Sequence, residues 1–507
     1  MSMSTAIPLS EIIARTGGRL AAAPVTRSLD ECITAITIDS RDCANGSLFV
    51  ALPGTNADGH DFVAVAAKAG ASAALVTHEI VPDLMGEAMG DDAGSCVQII
   101  VDDTLQAITD IAIMARLNHQ MAGGYLVGIT GSVGKTGSKE MLAHILRSMT
   151  GCHANKSSFN NHIGVPLTIA ALPVDMPVAV QEMGMNAPGE IADLTLIAAP
   201  DVALITRIAD SHAGFFRDIA EIAAAKAEIF DGLMPDGVAV LNRDDAFYDD
   251  LSRRARLAGA SRIIGFGRHE DAEFRLVSTT KLDGGIGIEC DVAGSPLHFT
   301  MGMRGVHWAM NAMGILAVID AVGLDVRDAA GQLASFKDLA GRGAATSGQF
   351  AGKNVTLIDD SYNAGPASMA AGLDGLTGDA ADILVLSDML ELGDGSAAAH
   401  AALAPLITQL APRQIIAIGS DMQAMAALID PATATFMADD SDDAIAHLAA
   451  SITDGDVVFI KGSLGSGSWR VAKAMLDGFE AASDANTKSG ATAENTPTKT
   501  GATHHAA

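Results

Sequence analysis

The sequence lacks paired cysteines, long apolar runs and an excess of basic residues. Its five cysteines contain no C-x-x-C pair, which argues against a disulfide framework and a zinc site and favours a reducing cytoplasm. No apolar run reaches about 18 residues, and residues 1–20 lack a basic segment followed by an apolar one, so we expect neither membrane insertion nor export. With 32 basic and 61 acidic side chains the formal net charge is −29, which disfavours nucleic acid and anionic membranes as partners.

Aromatic residues are also scarce, at 4% of a chain that is 49% hydrophobic. The cores are therefore expected to consist mainly of Ala, Val, Ile and Leu. A length of 507 residues suggests about three domains of roughly 150 residues each. These properties are typical of a large cytoplasmic enzyme.

Short apolar runs alternate with helical stretches along most of the chain, and this alternation predicts an α/β fold with mostly parallel sheets. Buried strands are predicted at 35–38, 48–52, 73–76, 97–101, 178–180, 202–205, 238–241, 355–358, 383–386, 415–418 and 457–460. The predicted division is a small N-terminal α/β domain at 1–103, a central P-loop ATPase-like domain with a parallel sheet at 104–326, a C-terminal Rossmann-like domain at 327–480 and a disordered tail at 481–507. The C-terminal domain has no G-x-G-x-x-G fingerprint of its own, and the tail has no apolar periodicity.

Residues 128–139 form the most informative motif and read Gly-Ile-Thr-Gly-Ser-Val-Gly-Lys-Thr-Gly-Ser-Lys. The motif follows an apolar run at 125–127 and precedes a helical pattern at 140–146, so bare backbone N–H groups and the positive end of a helix meet at one point. Such an arrangement binds phosphate and is called a P-loop. Lys135 would reach the β- and γ-phosphates, and the Thr136 hydroxyl would contact a magnesium ion.

The motif departs from the general pattern G-x-x-x-x-G-K-[ST], because Ile129 stands where the first glycine would fall. Its glycines lie instead at Gly128, Gly131 and Gly134. An ordinary glycine-rich turn between a strand and a helix is the alternative interpretation, but such a turn does not require Gly-Lys-Thr at its end. The motif therefore favours a nucleotide site.

Three further side chains are candidates for the chemistry. Glu182 follows a predicted strand, where a carboxylate facing the P-loop strand could hold magnesium, although a surface glutamate would show the same pattern. His212 lies just beyond another strand and could act as a ligand, although a lone histidine is more often structural. Lys226 lies in an alanine-rich helical stretch, where a lysine usually extends to solvent, but burial would lower its pKa and free the amine for chemistry.

Two polar loops complete the set of candidates. The loop at 159–168 reads Phe-Asn-Asn-His-Ile-Gly-Val-Pro-Leu-Thr and could equally be a loop that caps a helix. The loop at 359–366 reads Asp-Asp-Ser-Tyr-Asn-Ala-Gly-Pro and lies at the end of the first predicted C-terminal strand. Ligands bind outside the carboxyl ends of the strands in parallel sheets, so this second loop predicts a ligand contact.

Taken together, these clusters resemble the Mur ligase family over about residues 30–475. The segment Asp39-Ser40-Arg41, with the stretches at 49–54 and 58–62, is similar to the uridine-nucleotide module of that family. The P-loop has the family's own spacing, T-G-x-x-G-K-T, which accounts for Ile129. The resemblance therefore implies a uridine-nucleotide module followed by an ATP site.

Several motifs resemble one branch of this family, which joins D-alanyl-D-alanine to UDP-N-acetylmuramoyl-tripeptide. They are Asn-Asn-x-Ile-Gly-x-Pro at 160–166, Asp-Asp-Ser-Tyr-Asn-Ala at 359–364 and Asp-Met-Leu-Glu-Leu-Gly at 388–393. The sister branch, which adds the third-position diamino acid, would carry D-Y-A-H-T-P and D-N-P-R elements, and this sequence has neither. The segment at 305–312 resembles the family's G-x-H-x-x-x-N nucleotide contact, and the one at 341–343 resembles its inter-domain G-R-G, which reaches ATP.

The resemblance implies an ATP-dependent amide ligase that acts through an acyl phosphate, with ATP and magnesium as cofactors. The expected partners are the two substrates, UDP-N-acetylmuramoyl-tripeptide and D-alanyl-D-alanine, and the enzyme is expected to be a cytoplasmic monomer. The implied catalytic residues are Lys135, Lys226 and His212. The implied ATP contacts are Gly131, Ser132, Gly134, Lys135, Thr136, His307, Asn311, Arg342 and Asp360. The implied substrate contacts are Ser40, Arg41, Asn56, Asn160, Asn161, Tyr362 and Asn363. One magnesium is expected on Thr136 and Glu182, and a second on His212 and a carbamylated Lys226.

The sequence departs from the family at one loop, where Lys-Gly-Ser-Leu-Gly at 461–465 replaces the usual Lys-Gly-Ser-Arg-Gly. Arg470, one turn later, could take the place of the missing arginine. The alternative functions are the sister Mur ligase or a folylpolyglutamate synthase, a P-loop switch or motor, and a binder with a decayed site. The N-terminal uridine-nucleotide module argues against a folylpolyglutamate synthase, and the third domain argues against a switch or motor. The intact site residues argue against a binder with a decayed site.

Overall fold

The structure of the chain is a computed structural model, and it describes residues 7–21, 28–54, 57–80, 96–156, 159–209, 216–282, 284–337, 339–376 and 381–492. It divides into two compact units, one of Met1–Gly302 and Val306–Phe336 and the other of Met303–Gly305 and Lys337–Ala507. The first unit contains both the predicted N-terminal and the predicted central sheets, so the domain boundaries given above stay predictions. Within the described ranges, no helix is both long and apolar enough to span a bilayer.

The N-terminal part of the first unit is a small α/β arrangement, as the sequence predicts. Its elements are β1 (Ile7–Pro8), α1 (Leu9–Thr16), β2 (Arg19–Leu20), β3 (Cys32–Ile33), β4 (Ala35–Thr37), β5 (Ser47–Val50), α2 (Val63–Lys68), β6 (Ala73–Val76) and β7 (Val97–Ile100). The main sheet has the order β2-β7-β6-β5-β4, with parallel pairing from β4 to β7. Strands β5 and β6 are buried along their whole length, which confirms the predicted apolar runs.

The rest of the first unit surrounds a larger sheet that contains the P-loop strand. Its elements are α3 (Thr104–Met121), β8 (Tyr125–Thr130), α4 (Lys135–Met149), β9 (His153–Ala154), α5 (Gly164–Ala170), β10 (Val178–Glu182), α6 (Glu190–Ala198), β11 (Val202–Ile205), α7 (Ile219–Ala227), β12 (Val238–Asn242), α8 (Tyr248–Leu257), β13 (Arg262–Gly267), β14 (Phe274–Leu282), β15 (Gly285–Val292), β16 (Ser295–Met301), α9 (Val306–Ala321) and α10 (Val326–Gln332). The sheet order is β16-β15-β14-β13-β12-β11-β8-β10-β9. Pairing is parallel from β9 to β14 and antiparallel through β15 and β16.

Strand β8 lies in the interior of this sheet, between β10 and β11. Because all three strands are parallel, their carboxyl ends meet at one edge, where the loops after them can combine into a site. The predicted strands at 178–180, 202–205 and 238–241 are confirmed as β10, β11 and β12. The apolar runs of the sequence predict no strand for the antiparallel segment from β14 to β16, in which apolar and polar residues alternate and several side chains are exposed.

The second unit is a doubly wound α/β arrangement. Its elements are β17 (Ala344–Phe350), β18 (Lys353–Asp360), α11 (Pro366–Gly375), β19 (Ile383–Ser387), α12 (Ser396–Ala401), α13 (Ala404–Leu410), β20 (Gln414–Ile418), α14 (Met422–Ala426), β21 (Ala434–Ala438), α15 (Ser441–Ser451), β22 (Val457–Lys461) and α16 (Ser468–Thr492). The sheet order is β17-β18-β22-β19-β20-β21, in which β17 is antiparallel to β18 and the other pairs are parallel. The predicted strands at 355–358, 383–386, 415–418 and 457–460 are confirmed.

The two faces of this sheet carry separate hydrophobic cores. Leu384 and Leu386 of β19 pack on one side with α11, α13 and α14, whereas Ile383 and Val385 pack on the other with α15 and α16. Neighbouring residues of a strand point to opposite faces, so a strand buried on both faces must be apolar without interruption. This is why β19 and β20 appear in the sequence as continuous apolar runs.

The last helix, α16, continues to Thr492 and so extends past residue 481, where the predicted tail begins. Residues 493–507 lie outside the described residues, and the disorder of the tail stays a prediction. Within α16, Val471, Met475 and Phe479 are buried in the core of the second unit. Phe479 packs closely against β17, since a Cβ added to Gly348 would lie 2.2 Å from its Cγ.

Ending the chain after Glu480 is expected to change the free energy of unfolding by less than about 0.5 kcal/mol, because the core residues of α16 are retained. Thermal unfolding of the shortened and full-length proteins is the measurement. Phe479→Ala is the matched control and should lower stability by about 3 kcal/mol, since it removes a buried aromatic ring. A loss of similar size in the shortened protein would show that residues beyond 480 dock on the fold.

Candidate active site

The P-loop of the structure has a backbone that requires glycine. Strand β8 ends at Thr130, and α4 begins at Lys135. Gly131 has φ +148° and Gly134 has φ +87°, both in the region that side chains rarely adopt. A Cβ added to Gly131 would also lie 2.0 Å from Oγ1 of Thr206. The predicted strand, glycine turn and helix are therefore confirmed, and the N–H groups at the start of α4 face the loop.

The segment that follows β11 forms hydrogen bonds with the P-loop. The Thr206 hydroxyl donates to the carbonyl oxygen of Val133 at 2.6 Å. The Ser132 hydroxyl donates to the carbonyl oxygen of Ala209 at 2.8 Å, and the Ser132 N–H donates to that of Arg207 at 2.8 Å. Sequence reasoning missed Thr206, although its place directly after a strand next to β8 was an available signal. These bonds fix the loop in the shape that a phosphate would meet.

Lys135 lies over the same loop. Its Nζ donates to the carbonyl oxygen of Gly131 at 2.7 Å and approaches that of Ser132 at 3.5 Å. The neighbouring Thr136 is partly buried in the first turn of α4. A cation and a hydroxyl at the N-terminal end of a helix, where the helix dipole also favours negative charge, form a suitable environment for phosphoryl oxygens.

Glu182 is a buried carboxylate at the end of β10. It pairs in register with Ile129 of β8, its side chain is 1% exposed, and its Oε1 accepts a bond of 2.8 Å from Nδ2 of Asn160. Its Oε2 has no hydrogen-bond partner among the described residues. A buried carboxylate oxygen without a partner is unfavourable, so a hard cation, which binds oxygen ligands, fits this position.

Lys226 is the second buried ionisable group near the P-loop. It lies in α7 with 1% of its surface exposed, and its Nζ has no hydrogen-bond partner within the described part of the chain. Burial lowers the pKa of Lys226 well below its ordinary value, and the positive charge of Lys135 lowers it further. The negative charges of Glu228 and Glu190 raise this pKa, but by less. Burial and the nearby Lys135 charge therefore both favour the neutral, nucleophilic form of the amine. His212, its predicted partner, lies outside the described residues.

The predicted substrate residues Asn160 and Asn161 both have contacts within the protein. Asn160 orients Glu182, as described above, and its carbonyl oxygen accepts a bond from the N–H of Gly184. Oδ1 of Asn161 accepts from the N–H groups of Ile163 and Gly164, at 3.2 and 2.9 Å, and so satisfies two N–H groups where α5 begins. This agrees with the interpretation of the loop as one that closes the start of a helix, and contact of either residue with substrate stays a prediction.

Helix α9 brings its predicted nucleotide residues to the start of α4. A Cβ added to Gly134 would lie 3.0 Å from Oδ1 of Asn311, so this side chain lies against the P-loop. His307 is exposed, with its ring centroid 5.5 Å from that of Trp308. Trp308 itself packs against Gly137, at 2.8 Å from the position of an added Cβ. Sequence reasoning assigned no role to this tryptophan.

In the N-terminal part, the predicted uridine-nucleotide residues form a polar turn. Arg41 is exposed and forms an ion pair of 2.6 Å with Asp39. The hydrogen bonds from Arg41 lower the pKa of Asp39 to about 2. Ser40 is buried beside them. Asn56 lies outside the described residues, and the binding role of the whole group stays a prediction.

The second unit places its predicted residues at the end of β18. The guanidinium of Arg342 lies over the ring of Tyr362, 4.0 Å from its centroid, in a cation–π contact. Lys461, at the end of β22, forms an ion pair of 2.7 Å with Asp360 and donates to the carbonyl oxygen of Asn363 at 3.3 Å. Burial raises the pKa of Asp360, and the charge of Lys461 opposes that rise.

The loop that departs from the family places Leu464 at the surface, 56% exposed. Arg470, the candidate replacement for the missing arginine, forms an ion pair of 3.0 Å with Asp442. Its guanidinium therefore already has a partner in α15. Across the described ranges, no three His, Cys, Asp or Glu residues come together as a metal-binding group. The predicted magnesium ligands are instead a hydroxyl, one carboxylate and a lysine, together with His212, which lies outside those ranges.

Comparison with known proteins gives one consistent family. Residues 32–113 match the model of the Mur ligase family catalytic domain, 129–319 that of the Mur ligase middle domain, and 346–464 that of the Mur ligase glutamate ligase domain. A relative from Rickettsia prowazekii named UDP-N-acetylmuramoyl-tripeptide–D-alanyl-D-alanine ligase is 30% identical over 432 residues, which cover 85% of this chain and 92% of the relative.

Two solved structures are similar over most of their length. MurF from Acinetobacter baumannii has a TM-score of 0.79 and 27% identity, and covers 94% of this chain and 99% of its own. MurF from Thermotoga maritima in complex with ADP has a TM-score of 0.72 and 26% identity, and covers 88% of this chain and 98% of its own. The described arrangement of sheets, with the P-loop in the middle of the larger one, is thus a known architecture.

Proposed function

The chain belongs to the Mur ligase family, and on that premise we propose that it joins D-alanyl-D-alanine to UDP-N-acetylmuramoyl-tripeptide in an ATP-dependent reaction of peptidoglycan precursor synthesis. The observation that carries the chemistry is the pair of buried groups beside the P-loop, Glu182 and Lys226, each with an atom that lacks a partner among the described residues. The substrate assignment is supported by the function for which a relative is named, which this chain matches over 85% of its length, and by the branch-specific motifs at 160–166, 359–364 and 388–393.

The reaction requires activation of a carboxylate, because a carboxylate is a poor electrophile. The terminal carboxylate of the tripeptide attacks the γ-phosphorus of ATP, the bond to the β-phosphate oxygen breaks, and an acyl phosphate and ADP result. The amine of D-alanyl-D-alanine then attacks the acyl carbon, and the tetrahedral intermediate collapses with loss of a proton and phosphate. Negative charge collects on phosphoryl oxygens in the first step, and the Lys135 ammonium, already over the loop, lies where it would stabilise that charge.

Magnesium would neutralise part of the same phosphoryl charge when it is bound. The residues that fit it are Thr136, at the start of α4, and Glu182, whose Oε2 has no protein partner in the described ranges. Asn160 orients the other carboxylate oxygen. ATP binding is expected to use the P-loop together with His307, Asn311, Arg342 and Asp360, as the resemblance implies.

We assign Lys226 to a second cation site, as a carbamate. The neutral amine attacks carbon dioxide, an N–C bond forms, and a proton leaves, which replaces a buried base by an anion with two oxygens. Such an anion is a suitable ligand for magnesium, whereas an ammonium would be repelled by Lys135. His212 is the expected second ligand.

The remaining assignments concern the substrates and the state of the enzyme. Ser40, Arg41 and Asn56 are proposed to contact the uridine nucleotide, and Asn160, Asn161, Tyr362 and Asn363 the rest of the substrates. The enzyme is proposed to act in the cytoplasm, since its substrates are a soluble nucleotide-linked precursor and a free dipeptide, and it is proposed to be a monomer.

A panel of amine substrates tests the function. With UDP-N-acetylmuramoyl-tripeptide as acceptor, D-alanyl-D-alanine should give a product that mass spectrometry identifies as the pentapeptide, with one ADP released per product. Single amino acids, including diaminopimelate, should give none, and without an amine ADP release should not continue beyond a single turnover. Efficient addition of diaminopimelate to UDP-N-acetylmuramoyl-dipeptide would overturn the assignment and favour the sister ligase.

A further inference from the structure

A buried cation with no assigned role lies one turn beyond the P-loop. Lys139 of α4 is 0% exposed. Its Nζ donates to the carbonyl oxygen of Asn155 at 2.9 Å and lies 2.7 Å from Oε1 of Glu140. Burial of an ammonium is costly unless it is paired and hydrogen-bonded. An apolar residue would fill the same space without that cost, so the position of the charge calls for an explanation.

The contacts of Asn155 supply that explanation. Asn155 is 2% exposed, and its Oδ1 accepts the backbone N–H of Glu182 at 3.0 Å. Lys139 therefore holds the backbone of Asn155, and the side chain of Asn155 holds the backbone of Glu182. A hydrogen bond from a charged donor is stronger than one between neutral groups. Lys139 therefore fixes the backbone of Asn155 firmly to α4.

Glu182 is thus held at both ends. Asn155 holds its backbone N–H, and Asn160 holds its Oε1 at 2.8 Å. The atom left over is Oε2, which has no protein partner among the described residues. With the backbone N–H and Oε1 both held, the carboxylate, and with it Oε2, has little freedom to turn at the end of β10.

We propose that Lys139 and Asn155 are positioning residues that fix Glu182 so that Oε2 is presented to the magnesium ion bound with the nucleotide. This inference rests on the proposed function, since it assumes that Glu182 binds that ion. Neither residue contacts the ion itself. Groups that orient a metal ligand typically change metal affinity by about 10- to 100-fold when they are removed, which sets the expected size of the effect.

The test measures how much magnesium strengthens the binding of ADP to the full-length protein. Calorimetric titrations with ADP, with and without magnesium, give two dissociation constants, and their ratio is the magnesium effect. Lys139→Met, which keeps the length of the side chain but removes its charge, is expected to reduce this ratio about tenfold or more. ADP binding without magnesium should stay unchanged, because the backbone of the P-loop is unaltered.

Asn155 provides two further variants, which test the positioning of Glu182 even if Lys139→Met fails to fold. Asn155→Leu removes the acceptor for the Glu182 N–H and should reduce the magnesium effect as Lys139→Met does. Asn155→Asp keeps an acceptor oxygen and should retain most of that effect. Equal losses in both Asn155 variants would overturn the role of the hydrogen bond.

Arg116 is the matched control for the loss of a buried cation in the same unit. It is 1% exposed and binds Asp201 at 2.7 Å and the carbonyl oxygen of Ala198 at 3.0 Å, so its contacts are on the side of α6 and not at Asn155 or Glu182. Arg116→Met should lower the thermal unfolding midpoint and leave the magnesium effect on ADP binding unchanged. A general loss of stability is thereby separated from a loss of positioning.

Glu182→Gln separates failure of this inference from failure of the proposed function. If Glu182→Gln abolishes the magnesium effect while Lys139→Met and Asn155→Leu keep it, Glu182 is a ligand and the positioning role is wrong. If Glu182→Gln itself keeps the full magnesium effect, Glu182 is not the ligand and the proposed metal site fails with it. Loss of the effect in all three variants, with Arg116→Met unaffected, is the expected result.

Discussion

Lys135→Ala is expected to lower ligase turnover by roughly 10³-fold at saturating ATP while the protein remains folded. The Lys135 amine lies 2.7 Å from the carbonyl oxygen of Gly131, directly over the P-loop. Removal of a preorganised cation that faces developing phosphoryl charge costs about two to three orders of magnitude or more in other enzymes. The side chain is only partly buried, so its truncation should change the unfolding midpoint little. Release of ADP at saturating substrates is the measurement.

Lys473→Ala is the matched control for this variant. Lys473 is 61% exposed in α16 and pairs with Asp477 at 2.7 Å, so its loss removes a positive charge without touching a site. Turnover of Lys473→Ala should equal that of the unmodified protein. Equal turnover in Lys135→Ala as well would show that this loop is not the catalytic phosphate site.

Lys226→Ala is expected to lower turnover by roughly two to three orders of magnitude, with partial recovery when a short carboxylate such as acetate is added. The variant removes the proposed carbamate, and loss of an anionic ligand to a catalytic cation is worth several kcal/mol, at about 1.4 kcal/mol for each tenfold change in rate. The alanine leaves space beside the site into which a carboxylate can bind. Turnover as a function of acetate concentration is the measurement.

The controls for Lys226→Ala concern acetate and carbon dioxide. Acetate should not accelerate the unmodified protein or Lys135→Ala, since neither lacks the carbamate oxygens. Burial lowers the pKa of Lys226 well below its ordinary value, which favours reaction of the amine with carbon dioxide, so bicarbonate should restore activity to protein prepared without carbon dioxide. No recovery with acetate, together with an unmodified amine in a substrate-bound crystal grown with bicarbonate, would contradict the carbamate.

The elements that were predicted correctly share one property, which is that their signal is local. Strands such as β11 and β19 are buried on both faces, so each appears as an uninterrupted apolar run. Of the missed strands, β14, β15 and β16 have exposed positions, and β17 and β21 are edge strands with the same character. Their formation depends on neighbours in the sheet more than on their own residues. Strand β13 is an exception, because its last four residues are buried.

The candidate site divides in the same way. The P-loop could be predicted because its glycines, Lys135 and Thr136 follow one another in sequence, and so could the acidic end of β10. Thr206 and Trp308 could not be predicted in this way. Thr206 matters because it contacts Val133, and Trp308 because it contacts Gly137, and neither contact follows from a regular spacing in the sequence.

The sequence by itself determined the α/β class, most of the buried strands, the nucleotide loop and the family. These properties are encoded by residue types at short, regular spacings, which a strand or a helix translates directly into structure. Tertiary structure decided which side chains meet. Lys139 reaches Asn155 across 16 positions and Asn155 reaches Glu182 across 27, whereas Thr206 bonds to Val133 across 73. Burial of Lys226, and with it the lowered pKa of its amine, likewise exists only once α7 packs against the rest of its unit, because burial and hydrogen-bond partners are properties of the whole fold and not of a local pattern.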